Sequence, residues 1–110
     1  MIARGNTNHI AYAIPEFTGE ITELYVTYVQ HSYVIVEKTL EDVNFERYSK
    51  ENNSVIVHLT QDDTLRFKET VRPEKDSVKV QIRIKTSDNE AYSSQIMIDN
   101  VQNTLKEGII

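Results

Sequence analysis

Residues 77–86 read SVKVQIRIKT, with Val78, Val80, Ile82 and Ile84 pointing one way and Lys79, Gln81, Arg83 and Lys85 the other. Four apolar side chains in strict alternation with four long polar ones match a period of two and no helical period. One face of this strand therefore meets a core while the other stays in water. Downstream, Ser87-Asp88-Asn89-Glu90 makes a tight turn by its side-chain chemistry, so Ala91 to Asp99 is expected to return antiparallel as a hairpin partner. Upstream, Arg72-Pro73-Glu74-Lys75-Asp76 reads as a loop.

The same period recurs along the chain. His9 to Ile14 alternates and stops at Pro15, which cannot supply a ladder N–H. Glu20 to Gln30 carries Leu24, Val26 and Tyr28 on one face and Tyr25, Thr27 and Val29 on the other, which predicts a central strand. Gln30-His31-Ser32 is short enough to turn a hairpin into Tyr33 to Lys38. Val43, Phe45 and Arg47 form a weak strand, Lys50 to Asn53 a turn, and SVIVHLT at 54–60 another strand. At 60–67 the period breaks. Thr60 three residues before Asp63 resembles an N-cap with an acid in the first turn, predicting one short helical turn near residues 61–66. Leu65 and Phe67 then fold back over an open end of the sheets.

About seven short strands with turns at roughly 8–12 residue intervals predict an all-β, immunoglobulin-like antiparallel sandwich, with a small barrel as the alternative. At 110 residues, with no linker or repeat, residues 1–110 make one domain, and 101–110 read as a docking tail. The tail NVQNTLKEGII is open between a further strand, a short helix at Asn100 to Lys106, and an extended arm. Its apolar pair Ile109-Ile110 calls for a groove on this domain or on a neighbour.

Composition excludes several chemistries. The chain has no cysteine, so disulfide frameworks, thiolate catalysis and Cys-ligated metal sites are ruled out. His9, His31 and His58 show no ligand spacing on one element, and no HExxH or calcium-loop pattern occurs, so neither metal nor cofactor is expected. Ser93 and Ser94 lie in a predicted strand without a nearby histidine or a GxSxG elbow, and the three glycines are too scattered to cradle phosphate. Asp62 and Asp63 read as a helix cap. The expectation is a protein that is not an enzyme. The opening MIARGNTNHI lacks an apolar signal-peptide core, and no run approaches the roughly 20 apolar residues that span a bilayer. The chain is thus expected to be made in the cytoplasm, with no membrane partner.

The net charge is −5, yet Arg66 to Lys85 holds seven basic residues against three acidic ones, a local +4 that leaves −9 on the rest. Lys79, Arg83 and Lys85 should be exposed and should face an acidic partner. Nucleic acid is the poorer partner for an acidic domain without a stacking motif. Tyrosine is the one enriched type that suggests binding, with Tyr25, Tyr28 and Tyr33 flanking the first hairpin. Such rings serve as core residues, as protein-interface anchors, or as a platform for cell-surface polysaccharide.

Arg4-Gly5-Asn6-Thr7 before a short alternating strand, Thr27-Tyr28-Val29-Gln30, the Leu59 to Phe67 segment, a V-IR strand and the final Glu107-Gly108-Ile109-Ile110 together resemble small proteins of tailed bacteriophages and prophages. The chain is also similar, more weakly, to the immunoglobulin-like domain of phage upper baseplate proteins, without the helical and receptor-binding regions that follow there. The resemblance implies a virion component made in the host cytoplasm. Its partners would be other phage structural proteins and copies of itself, and its interface candidates are Tyr25, Tyr28, Tyr33, Lys79, Arg83, Lys85, Ile109 and Ile110. A carbohydrate-binding module for cell-surface attachment is the alternative. No catalytic residue carries over.

Overall fold

A computed structural model describes residues 1–17, 19–40, 48–49 (backbone) and 54–104. The strands are β1 (Ile2–Ala3), β2 (Asn8–Ala13), β3 (Ile21–Gln30), β4 (Tyr33–Thr39), β5 (Tyr48–Ser49), β6 (Ser54–Leu59), β7 (Val78–Thr86), β8 (Ala91–Ser93), β9 (Met97–Asp99) and β10 (Val101–Gln102). Two short helical segments, α1 (Gln61–Leu65) and α2 (Pro73–Asp76), lie between β6 and β7. One antiparallel sheet has the order β2–β6–β5, and a larger one runs β4–β3–β7–β8 with β9 also on β7. β1 lies parallel to β10, Ile2 opposite Val101.

The alternating strands bury the faces their periods select. Val78, Val80, Ile82 and Ile84 of β7, Leu24, Val26 and Tyr28 of β3, and Val55, Val57 and Leu59 of β6 are each at most 3% exposed. These faces of the two sheets pack together, making the all-β sandwich. Its centre is aromatic: Tyr28 meets Tyr12 and Phe67 edge-on, with ring centroids 6.2 and 5.7 Å apart, and the Tyr28 hydroxyl donates to the Tyr12 oxygen at 3.1 Å. Burial pushes Tyr12 up to about 12 and raises Tyr28 as well.

At the β3–β4 hairpin a polar clamp closes one end of the sandwich. The fully buried Gln30 accepts the Lys68 N–H and donates to the carbonyls of Lys68 and Asp76, each at 2.8 Å. This fastens the β3–β4 hairpin to the 68–76 segment, where His31 and Ser32 turn with φ of 53° and 68°. His31 Nε2 reaches Asp76 Oδ1 at 2.8 Å, and this bond, with the N–H groups of Arg72 and Val71, holds the Asp76 carboxyl below the usual range.

Three expectations need correction. Arg72 to Asp76 is a helical turn rather than a loop: Pro73 starts it where its missing N–H costs nothing, and Asp76 returns its carboxylate to the Arg72 and Val71 N–H groups. Ala91 to Asp99 is not one strand. It breaks between β8 and β9, where the Ser94 hydroxyl takes the place of a backbone carbonyl by accepting the Ile82 N–H at 2.9 Å, while Ser94 N–H donates to Ile82. That break and three two-residue strands raise the strand number to ten among the described residues. Of the tail alternatives, the strand holds at Val101–Gln102 and a helix from Asn100 does not form through Thr104. Leu105 to Ile110, the weak strand at 43–47 and the turn at 50–53 lie outside the described residues.

Candidate functional site

The outer face of the larger sheet gathers the candidate residues. Cross-strand partners project from the same face of a sheet, so register places them directly. Lys85 lies beside Glu23, Arg83 beside Tyr25 and Lys79 beside Val29 across β3 and β7. On the far side of Lys79 stands Ile98 of β9, and beside Val29 stands Val34 of β4. The result has two zones. At one end Glu23, Tyr25, Arg83, Lys85 and Ala91 line a shallow pocket of about 200 Å³ over the Ile84 backbone. At the other, Val34 and Ile98, 60% and 61% exposed, flank Val29 and Lys79.

Lys79, Arg83 and Lys85 are exposed, as the alternation required, and enter no ion pair among the described residues. The tyrosines part company. Tyr25 is on this face and 40% exposed, and Tyr33 is 72% exposed at the hairpin tip, but Tyr28 is fully buried in the core and offers no surface of this chain for contact. That correction follows from Leu24 and Val26, which choose the inner face of β3 and carry Tyr28 with them. Tyr25 pairs with Thr39 at one end of β4 and Tyr33 stands at the other, so the three rings form no row for a sugar. Ile109 and Ile110 lie outside the described residues.

Val34 and Ile98 were missed by sequence reasoning for a reason. In YVIVEK, Val34 and Val36 share a parity and should share a face. A bulge at Ile35 sends Val36 to the core opposite Tyr28 and Val34 outward opposite Val29. No residue in that stretch marks the bulge.

Side chains that might have carried chemistry hold the fold. Thr60 and Asp63 form the expected capping box, and Asp63 Oδ2 also meets Lys38 Nζ at 2.6 Å. Burial pushes the Asp63 carboxyl up, but the hydrogen bonds from Lys38 and Thr60 outweigh it and hold the group below its ordinary value. A depressed folded value means stability that is present above the unfolded value and lost as pH falls through the folded one. Asp63 Oδ2 accepts from both the Thr60 N–H and Lys38, so Asp63→Asn keeps an oxygen there but removes the charge that pairs with Lys38. The substitution should cost on the order of 1–3 kcal/mol at neutral pH, and the gap from the parent in denaturant melts should begin to narrow near pH 3.8, the ordinary value of the group, and close only below the lowered folded value.

The stretches behind the phage resemblance meet each other. Arg4 Nε donates to the Phe67 carbonyl at 2.9 Å, Gly5 N–H donates to the buried Thr64 hydroxyl at 3.0 Å, and that hydroxyl donates to the Asn6 carbonyl at 2.9 Å. Gly5 has φ of +85°, which only glycine adopts without strain. The Arg4 to Thr7 stretch is thus a strap over α1. His58 projects from the outer face of the smaller sheet, where its ring packs on His9 at 4.6 Å. Among the described residues no group of three or more His, Cys, Asp or Glu side chains could hold a metal ion. No family model and no curated protein matches this chain.

Proposed function

We propose that this chain is a non-enzymatic docking module, an immunoglobulin-like sandwich carried in several copies on a tailed-phage particle. The order β2–β6–β5 against β4–β3–β7–β8/β9 corresponds to strands B-E-D and C′-C-F-G of a variable-type arrangement, which supports the immunoglobulin-like reading. The phage setting rests on the resemblance carried by Arg4 to Thr7, Thr27 to Gln30 and Leu59 to Phe67.

One observation carries docking: a single sheet face joins two exposed aliphatic residues, Val34 and Ile98, to three cations that enter no ion pair among the described residues, on an acidic domain. Burying Val34 and Ile98 supplies affinity, and Lys79, Arg83 and Lys85 select an acidic neighbouring surface. Multiple copies turn such contacts into firm attachment. The test is incorporation into particles: a chain with Val34→Glu and Ile98→Glu should fold and be lost from purified virions, whereas undiminished incorporation would sink the reading. Deleting Ile109 and Ile110 should lower incorporation separately if the tail docks.

A further inference from the structure

We propose that β2 is a self-pairing edge, through which two copies of this chain join antiparallel about a two-fold axis at Ala11. This deepens the reading that the chain assembles in copies, but it uses the opposite sheet from the docking face.

β2 ends its sheet and pairs only with β6 among the described residues, in unbroken register from Asn8 opposite Leu59 to Ala13 opposite Ser54. In such a ladder alternate residues turn their N–H and C=O groups away from the partner strand, which makes an edge a template for another strand. The edges of the larger sheet are guarded against this. β4 carries the bulge at Ile35 together with Glu37 and Lys38, and the opposite edge breaks at Ser94. β2 has no bulge, no proline and no charged residue before Pro15.

Its side chains fit a second copy in particular. Pairing about Ala11 sets Ala11 against Ala11 of the second copy, His9 against Ala13 and Ile10 against Tyr12. Small residues meet small ones or a single ring on the outer face, and an aliphatic meets an aromatic on the inner face, a favourable cross-strand pair. Ile10, only partly covered at the core's margin, would complete its burial. Two domains of net charge −5 repel, and neither β2 nor its outer-face neighbours Ser54, Ile56 and His58 on β6 include an acid. The symmetry is isologous and closes at two copies.

The isolated chain should sediment as a dimer at high micromolar concentration, with the amides of β2 protected from hydrogen exchange. Ala11→Lys sets two ammonium groups together at the axis and should weaken the dimer about tenfold or more, with an unchanged melt of the monomer, since Ala11 is exposed. Ala11→Thr, uncharged and suited to strands, should keep the dimer, as should Val34→Glu. A monomeric parent, or a dimer indifferent to Ala11→Lys, overturns the proposal. So does equal protection of β2 in the monomeric variant, which would assign the edge to another segment of the same chain. Loss of virion incorporation with an intact dimer, or the reverse, separates this proposal from the docking face.

Discussion

Phe67→Ala should bring the domain close to unfolding. Phe67 is 1% exposed and stands edge-on to Tyr28, whose hydroxyl continues the contact to Tyr12 across the sandwich. Removing a buried phenylalanine costs about 3–5 kcal/mol through lost transfer energy and the cavity left behind. A domain of this size has a total of about 5–15 kcal/mol to lose. The melting temperature should therefore fall by at least about 12 °C, taking roughly 4 °C for each kcal/mol. The damage should also spread. The Phe67 carbonyl holds Arg4, and Thr64 beside it holds Gly5 and Asn6, so a loosened Phe67 releases the strap over α1. Hydrogen exchange should show early opening of residues 2–7 in the variant. Phe67→Leu retains most of the volume and should cost about half as much or less; if it costs as much as alanine, the aromatic contact rather than the volume is what matters.

The legible parts of this fold are those where one signal acts alone. The Ser77 to Thr86 alternation had no competitor: its inner set is buried residue by residue, and of the outer set Lys79, Arg83 and Lys85 are exposed while Gln81 is half-buried with its amide on the Ser94 carbonyl. α1 was legible because Thr60 and Asp63 sit at the only spacing that satisfies both ends of a capping box. β3 shows where alternation stops deciding, since both its faces carry aromatic or branched residues. That pattern gave its central position correctly, with β4 and β7 on either side, but left Tyr25 and Tyr28 equivalent. Only packing against Tyr12 and Phe67, distant in sequence, separates them. The face proposed for docking was half legible. Its basic row follows from local period, whereas Val34 turns outward through a backbone bulge, and Ile98 joins it by facing Lys79 after a break at Ser94. Both irregularities are stabilised by tertiary hydrogen bonds or register that no local pattern records.

Charge and apolar area should separate cleanly at the docking face, and that separation is the second large effect. Val34→Glu with Ile98→Glu replaces the aliphatic pair by two carboxylates opposite an acidic neighbour, removing burial and adding repulsion at one stroke. Fully burying each aliphatic side chain contributes about 1.5–3 kcal/mol, so the double variant should lose on the order of a hundredfold or more in affinity, enough to remove it from particles. Lys79→Gln with Arg83→Gln leaves the aliphatic pair in place. It should slow association and abolish most of the salt dependence while leaving measurable attachment at low ionic strength. Both variants alter side chains that point into solvent, so their melts should stay close to the parent. Binding measured to purified particles across a salt series distinguishes the contributions. Should the cation variant lose all attachment at every salt concentration while the aliphatic variant binds normally, the face would be an electrostatic site alone, and Val34 and Ile98 would have no share in the docking.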